Sequence, residues 1–494
     1  MKNKANKLRR DFGLCSIIIV AMATATGFYG FIVSPEQISN NTFSVTNQED
    51  PATRNLNRAM QLVDQTLESH FKGEDMEMGR FYNPFTKVRL SERGSVWMYG
   101  ASIEAVNAIL KGLKTQNENG NTALYDKHYS RYTALLNQLY NNAAYYLGTF
   151  NLVSFTQTKE WTVYAVDRVN EKGKANVTGV LNVYDDQMWL IREFIEAYKL
   201  TGQKSYLEHA EYLTAYVLDG WDSGRDATGN EIGGIPWGPG YVTKHACSNG
   251  PMISPLVWLH ELYKGKSDKI EYRYIDAKDK KTRKTKQEKK SDYYLSFAQK
   301  IYDWQKRHLL TAQGVYADMM GGCQPDCKIR YETVKGVKYR ASTVLTDPVG
   351  TAYSYNSGTM LSGGADLYRA TKNKAYIADI SKLSDASFQH FAKLGTTVSD
   401  LYSFTTKGFN NWFNGVLMRG YMDVLPIHES ASSYLEAFQK NLDYSYDNHL
   451  NQGYLPTNLL AGWNEDSEKN NVEAMFMFAY AAQYAVLSQF ELER

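Results

Sequence analysis

The stretch EAYKLTGQKSYLEHA (Glu196–Ala210) returns in altered form as DLYRATKNKAYIADI (Asp366–Ile380). Tyr198 aligns with Tyr368, Thr201 with Thr371, Lys204 with Lys374 and Tyr206 with Tyr376. Each copy reads as the end of one helix, a tight polar turn and the start of the next. Such an internal echo marks a fold built from repeated helical hairpins. A third copy is interrupted. ELYKGKSD (Glu261–Asp268) supplies the helix end and SDYYLSFAQKIYDW (Ser291–Trp304) the restart, with about twenty-three extra residues at the turn. The insert contains AKDKKTRKTKQEKK and reads as a solvated loop on the outer face; a basic patch for an acidic polymer is the alternative.

Working outward, helical periodicity dominates. NLNRAMQLVDQTLESHF sets Leu56, Ala59, Met60, Val63 and Leu67 on one face. Helical patterns follow over residues 96–113, 126–148, 249–264, 356–368, 376–391, 413–424, 432–442 and 472–487. Roughly twelve helices in repeated hairpins predict an all-α fold of six hairpins closed into a ring, an (α/α)6 barrel, with an open solenoid as the alternative. Strand signals are few, and VKYRASTVLTDPV is the stretch expected to hold short β pieces.

Hydrophobic residues make up 43% of the 494 and charged residues 22%, which is globular composition. A net charge of +2 argues against nucleic acid as the main partner. The chain carries 37 Tyr and 9 Trp, residues whose rings can stack on sugars or simply pack. At the N-terminus a basic stretch precedes LCSIIIVAMATATGFYGFIV (Leu14–Val33), a run without charge that reads as a signal peptide or membrane anchor. Positive charge before the run keeps the N-terminus inside and sends the rest across. Residues 1–33 are therefore expected to direct export to the periplasm, cell surface or medium, with 14–33 able to serve as an anchor. Cleavage after Ala25 would remove five basic residues and Asp11 and leave a net charge of −2. Residues 34–53 read as a flexible tether, and 54–494 as one folded domain with the Lys-rich insert near 268–291. Cys15 lies in the apolar run. Cys323 and Cys327, in CQPDC, read as a small disulfide loop or as free thiols, since no Cys or His neighbours complete a zinc site.

Just before the first echo lies YDDQMWLIREF, with Asp185 and Asp186 adjacent at a helix start. Met188, Ile191, Phe194, Ile195 and Tyr198 mark the buried stripe that follows. One Asp there would serve as an N-cap, and acids suit the positive end of the helix dipole. A second adds repulsion that grows as water is excluded. Paired carboxylates are also what glycoside hydrolysis needs. Adjacent Cα atoms are about 3.8 Å apart, so short Asp side chains favour the close spacing of a retaining enzyme. On spacing alone both readings stay open.

Four further stretches combine polar and aromatic residues near helix starts. GGIPWGPGYVTKHACSNGPMIS carries Trp237, Tyr241 and Asn249, as a sugar subsite or as a buttressing loop; His245 within it reads as structural. GVYADMMGG holds Asp318, YSYNSGTMLSGGADLY holds Tyr355 and Asn356, and FNNWFNGVLMRGYM holds Trp412, Asn414 and Arg419. The inner ends of helices in an α/α barrel gather such side chains. There is no P-loop, Rossmann glycine pattern or G-x-S-x-G, and WDSGRDATGNE lacks the register of a calcium loop.

These stretches, in this order, resemble glycoside hydrolase family 76, the α-1,6-mannanases. YDDQMWL resembles the family's Asp-Asp motif. AVDR (Ala165–Arg168) precedes it, and EAYKLTGQKSYL, PWGPGYVTKHACSNGPM, GVYADMM, SYNSGTML and FNGVLMRGYM follow. The resemblance runs from about Arg54 to Leu492 apart from the insert. It implies an (α/α)6 barrel that cleaves α-1,6-linked mannan with retention, Asp185 as nucleophile and Asp186 as acid/base. It also implies Asn249, Asp318 and Asn356 as sugar contacts. One departure is Asn414, where the family often has Lys. The expectation is an endo-acting mannanase, with substrate contacts from Gln187, Trp237, Tyr241, Asn249, Asp318, Tyr355, Asn356 and Trp412. A polysaccharide partner, no nucleic acid, no metal or organic cofactor and a monomeric state are expected. The rival readings are a transglycosidase and a non-catalytic glycan-binding protein.

Overall fold

The computed structural model describes residues 49–494. The segment 1–33, Cys15 and residues 34–48 of the expected tether lie outside them. Helix α1 (Pro51–His70) starts within the stretch read as tether, with Asp50 as N-cap accepting the Thr53 N–H at 2.9 Å. Eleven further helices follow: α2 (Val96–Glu118), α3 (Ala123–Asn142), α4 (Tyr184–Thr201), α5 (Lys204–Asp219), α6 (Ile253–Tyr263) and α7 (Lys290–Leu309), then α8 (Ser354–Thr371), α9 (Ala375–Phe391), α10 (Asn410–Val424), α11 (Ala431–His449) and α12 (Ala474–Glu493).

The even-numbered helices form a closed inner ring: α2 packs on α4, α4 on α6, α6 on α8, α8 on α10, α10 on α12, and α12 back on α2. Helices α3, α5, α7, α9 and α11 each pack outside the inner helix that precedes them, and α1 packs outside α12. The sixth hairpin is thus made by the two ends of the described chain. This is the (α/α)6 barrel, and the α12–α2 contact excludes the open solenoid. Residue patterning follows position. Helix α12 is buried on all sides from Ala474 to Tyr484, as an inner helix must be, whereas α1 buries one face through Leu56, Ala59, Met60 and Val63.

The echoed turns share one geometry. Gly202 and Lys372 both adopt left-handed backbone, at φ +72° and +57°, and each N–H reaches back to Tyr198 O or Tyr368 O at 2.8 Å. The Thr201 and Thr371 hydroxyls donate to Ala197 O and Leu367 O, and accept from the Gln203 and Asn373 N–H groups.

The insert is not a loop. Lys269–Ile275 pairs with Arg283–Lys289 as an antiparallel hairpin with seven facing pairs. Ile270, Tyr272 and Tyr274 alternate with polar residues, a period-two pattern that lysines obscured. The expected β pieces form at Val337–Arg340 and Val344–Val349. A hairpin the sequence reading missed, Leu147–Val153 with Thr158–Tyr164, packs against α4. A three-stranded antiparallel sheet sets Met319–Gln324 between Lys244–His245 and Val344–Val349. Cys323 and Cys327 form a disulfide, and Cys247 is a buried free thiol. Among the described residues no helix is long and apolar enough to cross a membrane.

Candidate active site

The first turns of α2, α4, α8 and α10 meet at one end of the barrel, around a cleft of about 1550 Å³. Four positive dipole ends therefore face it. Its floor and walls are largely aromatic, from Trp97, Trp189, Trp237, Tyr355, Trp412 and Phe413.

Asp185 and Asp186 are the second and third residues of α4 and line this cleft. Neither is a cap. The N-cap is Val183, which makes no side-chain cap bond, and the Tyr184 N–H is taken by Trp237 O at 2.8 Å. The Trp237 indole N–H also donates to both Asp185 carboxylate oxygens at 3.2 Å. One residue thus closes the helix start through its carbonyl and holds the first acid through its ring. Asp186 is 7% exposed and lines the cleft beside it.

Burial pushes the Asp185 carboxyl up to about 6, against the pull of hydrogen bonds from the Cys247 thiol, the Trp237 indole and the helix N–H groups. Burial, then the charge on Asp185, pushes Asp186 well above the usual carboxylate range. Two adjacent acids are thereby split into one poised to be an anion and one held as an acid, the division that acid/base chemistry on a leaving group requires. Asp318 is a third carboxylate in the cleft, raised to about 6 by burial and then by Asp185. Its carbonyl accepts the Ala246 N–H at 2.7 Å. A Cβ on Gly350 would lie 2.6 Å from the Asp318 Cβ, and Gly350 has φ +88°, so that position requires glycine.

The remaining expected contacts divide. Trp237, Tyr241 and Tyr355 line the cleft; Trp237 stacks on His245 with centroids 4.9 Å apart, and the Tyr241 ring lies tilted to it at 4.7 Å. Trp412 also lines the cleft, though only 3% exposed, edge-on to Trp189 and Trp97, with its indole N–H on Glu104 Oε2 at 3.0 Å. Glu104 also pairs with Arg419, beside a second, smaller cavity on the barrel axis.

Gln187, Asn249 and Asn356 lie away from the cleft. All three are fully buried. Gln187 accepts the Tyr164 N–H at 3.0 Å and donates to Tyr164 O at 2.8 Å, completing the edge of the missed hairpin. Asn249 clamps Ile235 through both N–H and carbonyl and donates to His245 O, fixing the loop that carries Trp237. Asn356 donates to Ala317 O at 3.4 Å, directly behind Asp318. Buried amides satisfy irregular backbone in this way. Asn414, the departure from the family pattern, joins Ser354 Oγ to Thr405 O. His245 lines the cleft, and burial lowers its pKa to about 4, so it is neutral where the acids work.

Sequence reasoning missed Trp97, Tyr353, Phe413 and Cys247 as cleft residues. A signal existed for Trp97. It is the second residue of α2, as Asp185 is of α4 and Tyr355 of α8.

Comparison with known proteins agrees with this geometry. No curated protein matches the chain. Among solved structures, a family 76 mannosidase, Bt3792 of Bacteroides thetaiotaomicron, superposes with TM-score 0.63 at 18% identity, covering 89% of this chain and 99% of its own. The α-1,6-mannanase GH76A of Salegentibacter sp. does so with TM-score 0.57 at 16% identity, covering 87% and 98%. An inactive form of that mannanase, with two adjacent aspartates changed to asparagine and α-1,6-mannotriose bound, matches with TM-score 0.57 at 16% identity over 88% and 99%. Identities this low speak for the fold. The family model described as Glycosyl hydrolase family 76 matches residues 173–260 and 283–491, which takes in the acid pair, the Trp237 loop, Asp318 and the starts of α8 and α10. With more than half of the chain matched, the protein belongs to glycosyl hydrolase family 76.

Proposed function

We propose that the protein is an exported endo-acting α-1,6-mannanase that works with retention. The observation that carries this reading is the Asp185–Asp186 pair at the mouth of an inner helix, on the wall of a long aromatic cleft. Support comes from family membership and from the related mannanase whose adjacent aspartates were replaced before it was trapped with α-1,6-mannotriose.

In this reading the glycan lies across the cleft with sugar faces on Trp97, Trp237 and Tyr355. Asp186, held protonated, gives its proton to the glycosidic oxygen as the bond breaks. Asp185, anionic and oriented by Trp237, attacks the anomeric carbon and forms a glycosyl ester. Asp186, now a carboxylate, takes a proton from water, which displaces Asp185 and releases the sugar with its configuration kept. The dipole ends of four helices favour the anionic nucleophile.

The test is product chromatography on linear and branched α-1,6-mannan, with Asp185→Asn and Asp186→Asn as controls. Oligosaccharides of several lengths from wild type, and none from either variant, are expected. Absence of any product from linear mannan, or unchanged activity in both variants, overturns the reading. A dominant transfer product when mannobiose is added would make the protein a transglycosidase.

A further inference from the structure

The first strand and the turn of the hairpin between α6 and α7 fall within residues 261–282, which the family match leaves out, so this part is an addition to the shared barrel. Residues 268–290 hold ten basic against five acidic side chains. The neighbouring segment 326–340, which contains the hairpin Tyr331–Val334 with Val337–Arg340, holds five basic against two acidic. With a whole-chain charge of only +2, the rest of the protein is net negative. Arg283 joins the two hairpins. It pairs with Glu332 at 2.6 Å and lies over the Tyr339 ring at 4.2 Å.

Aromatic rings and cations alternate across this surface. In the insert, Tyr272 faces Lys286 and Tyr274 faces Lys284, so both Tyr–Lys pairs share one face. The two rings stack at 5.6 Å, and Lys286 Nζ lies 4.9 Å from the Tyr272 centroid. This face and α7 enclose a groove of about 380 Å³, lined also by Arg225 and Lys300. On the second hairpin, Tyr331 is 48% exposed with Lys338 Nζ 4.1 Å above its ring. At the root of that hairpin Arg340 donates to Pro239 O and Tyr241 O, the backbone of a cleft wall.

We propose that the paired hairpins are a docking surface for phosphate-bearing glycan chains, holding an anionic mannan beside the cleft that cleaves it. The proposal rests on the mannanase reading for the identity of the glycan. Ring faces suit sugar, and the excess of lysine and arginine charge suits phosphate, whose oxygens accept charge-assisted hydrogen bonds from both. A membrane fits poorly. The hairpin tip, Asp276 to Thr282, offers no large apolar side chain to insert and carries two acids.

The experiment measures binding of the full chain to a phosphate-bearing α-mannan and to the same mannan with its phosphate removed. At about 50 mM salt the phosphate-bearing polymer is expected to bind at least about tenfold tighter, and the difference should vanish near about 300 mM. The triple variant Lys278→Glu, Lys281→Glu, Lys286→Ala should lose the difference. Its hydrolysis of neutral linear α-1,6-mannan and its circular dichroism should stay at wild-type level. Lys278 and Lys281 make no ion pair among the described residues, so their reversal leaves the hairpin intact, and Lys286→Ala alone serves as the milder variant. Equal binding of the two mannans, or variants that retain the difference, overturns the proposal. So does tighter binding of phosphatidylglycerol vesicles or of an oligothymidylate. Failure to cleave neutral mannan strikes the mannanase reading instead, and leaves the binding comparison readable.

Discussion

Replacing Asp185 by Asn should stabilise the protein while abolishing its chemistry. Burial raises the Asp185 carboxyl from 3.8 to about 6. That is roughly 2 pKa units at 1.36 kcal/mol each, or about 3 kcal/mol. The folded state holds this proton more tightly than the unfolded chain. The resulting stability is fully present below about pH 4 and is lost as pH rises through about 6. At pH 7.5 the wild type therefore carries a buried charge that costs about 3 kcal/mol, and Asn does not. Asn still offers an oxygen to the Trp237 indole. Unfolding entropy of about 2.1 cal/mol/K per residue over roughly 450 residues turns this into a rise in Tm of about 3 °C. Thermal unfolding of wild type and variant from pH 4 to pH 8 measures it. The gain should be near zero at pH 4 and full above pH 7, with mannanase activity down by about 10⁴-fold or more. A variant that is less stable at pH 7.5, or a gain independent of pH, would rule out a buried Asp185 charge as the cause. It would make Asp185 a structural anchor for α4 rather than an acid kept for chemistry.

The pH profile of kcat/KM should be a bell, with an acidic limb near 6 as Asp185 loses its proton and an alkaline limb set by Asp186 at higher pH; a flat profile between pH 5 and 8 would contradict the assignment. Trp237→Phe removes the indole donor 3.2 Å from Asp185, so the acidic limb should move upward and activity at pH 5 should fall more than at pH 7.5. Gln187→Leu leaves the Tyr164 N–H and carbonyl without partners and should destabilise the fold by about 2–4 kcal/mol, read by urea unfolding, with KM for mannooligosaccharides unchanged. A raised KM at unaltered stability would return Gln187 to the substrate.

The barrel was legible because its turns repeat chemically. Thr201 and Thr371 each bridge a helix end to the following strand of backbone, and that role leaves the same residue in both copies. The acid pair was legible because two adjacent carboxylates beside a buried stripe have few structural uses. The amides were not. Gln187, Asn249 and Asn356 lie within the motifs that carry the acids, and nothing in their type tells whether they face a sugar or a peptide. Burial decided it, and burial depends on loops whose paths no periodicity records. Trp97 was missed for the opposite reason. It reaches the cleft from α2, far from Asp185 in sequence, and only the packing of α2 on α4 brings the two helix starts together. In the insert, lysines concealed a period-two alternation that Tyr272 and Tyr274 carried.

In the proposed reaction Asp185 and Asp186 cleave α-1,6-mannan by double displacement. Proton NMR of the first reducing ends formed from linear α-1,6-mannan tests it most directly. Double displacement predicts that the α-anomer appears first and mutarotates to the mixture, with no signal from Asp185→Asn. Initial β-anomer, or α-anomer formed equally by the variant, would contradict it.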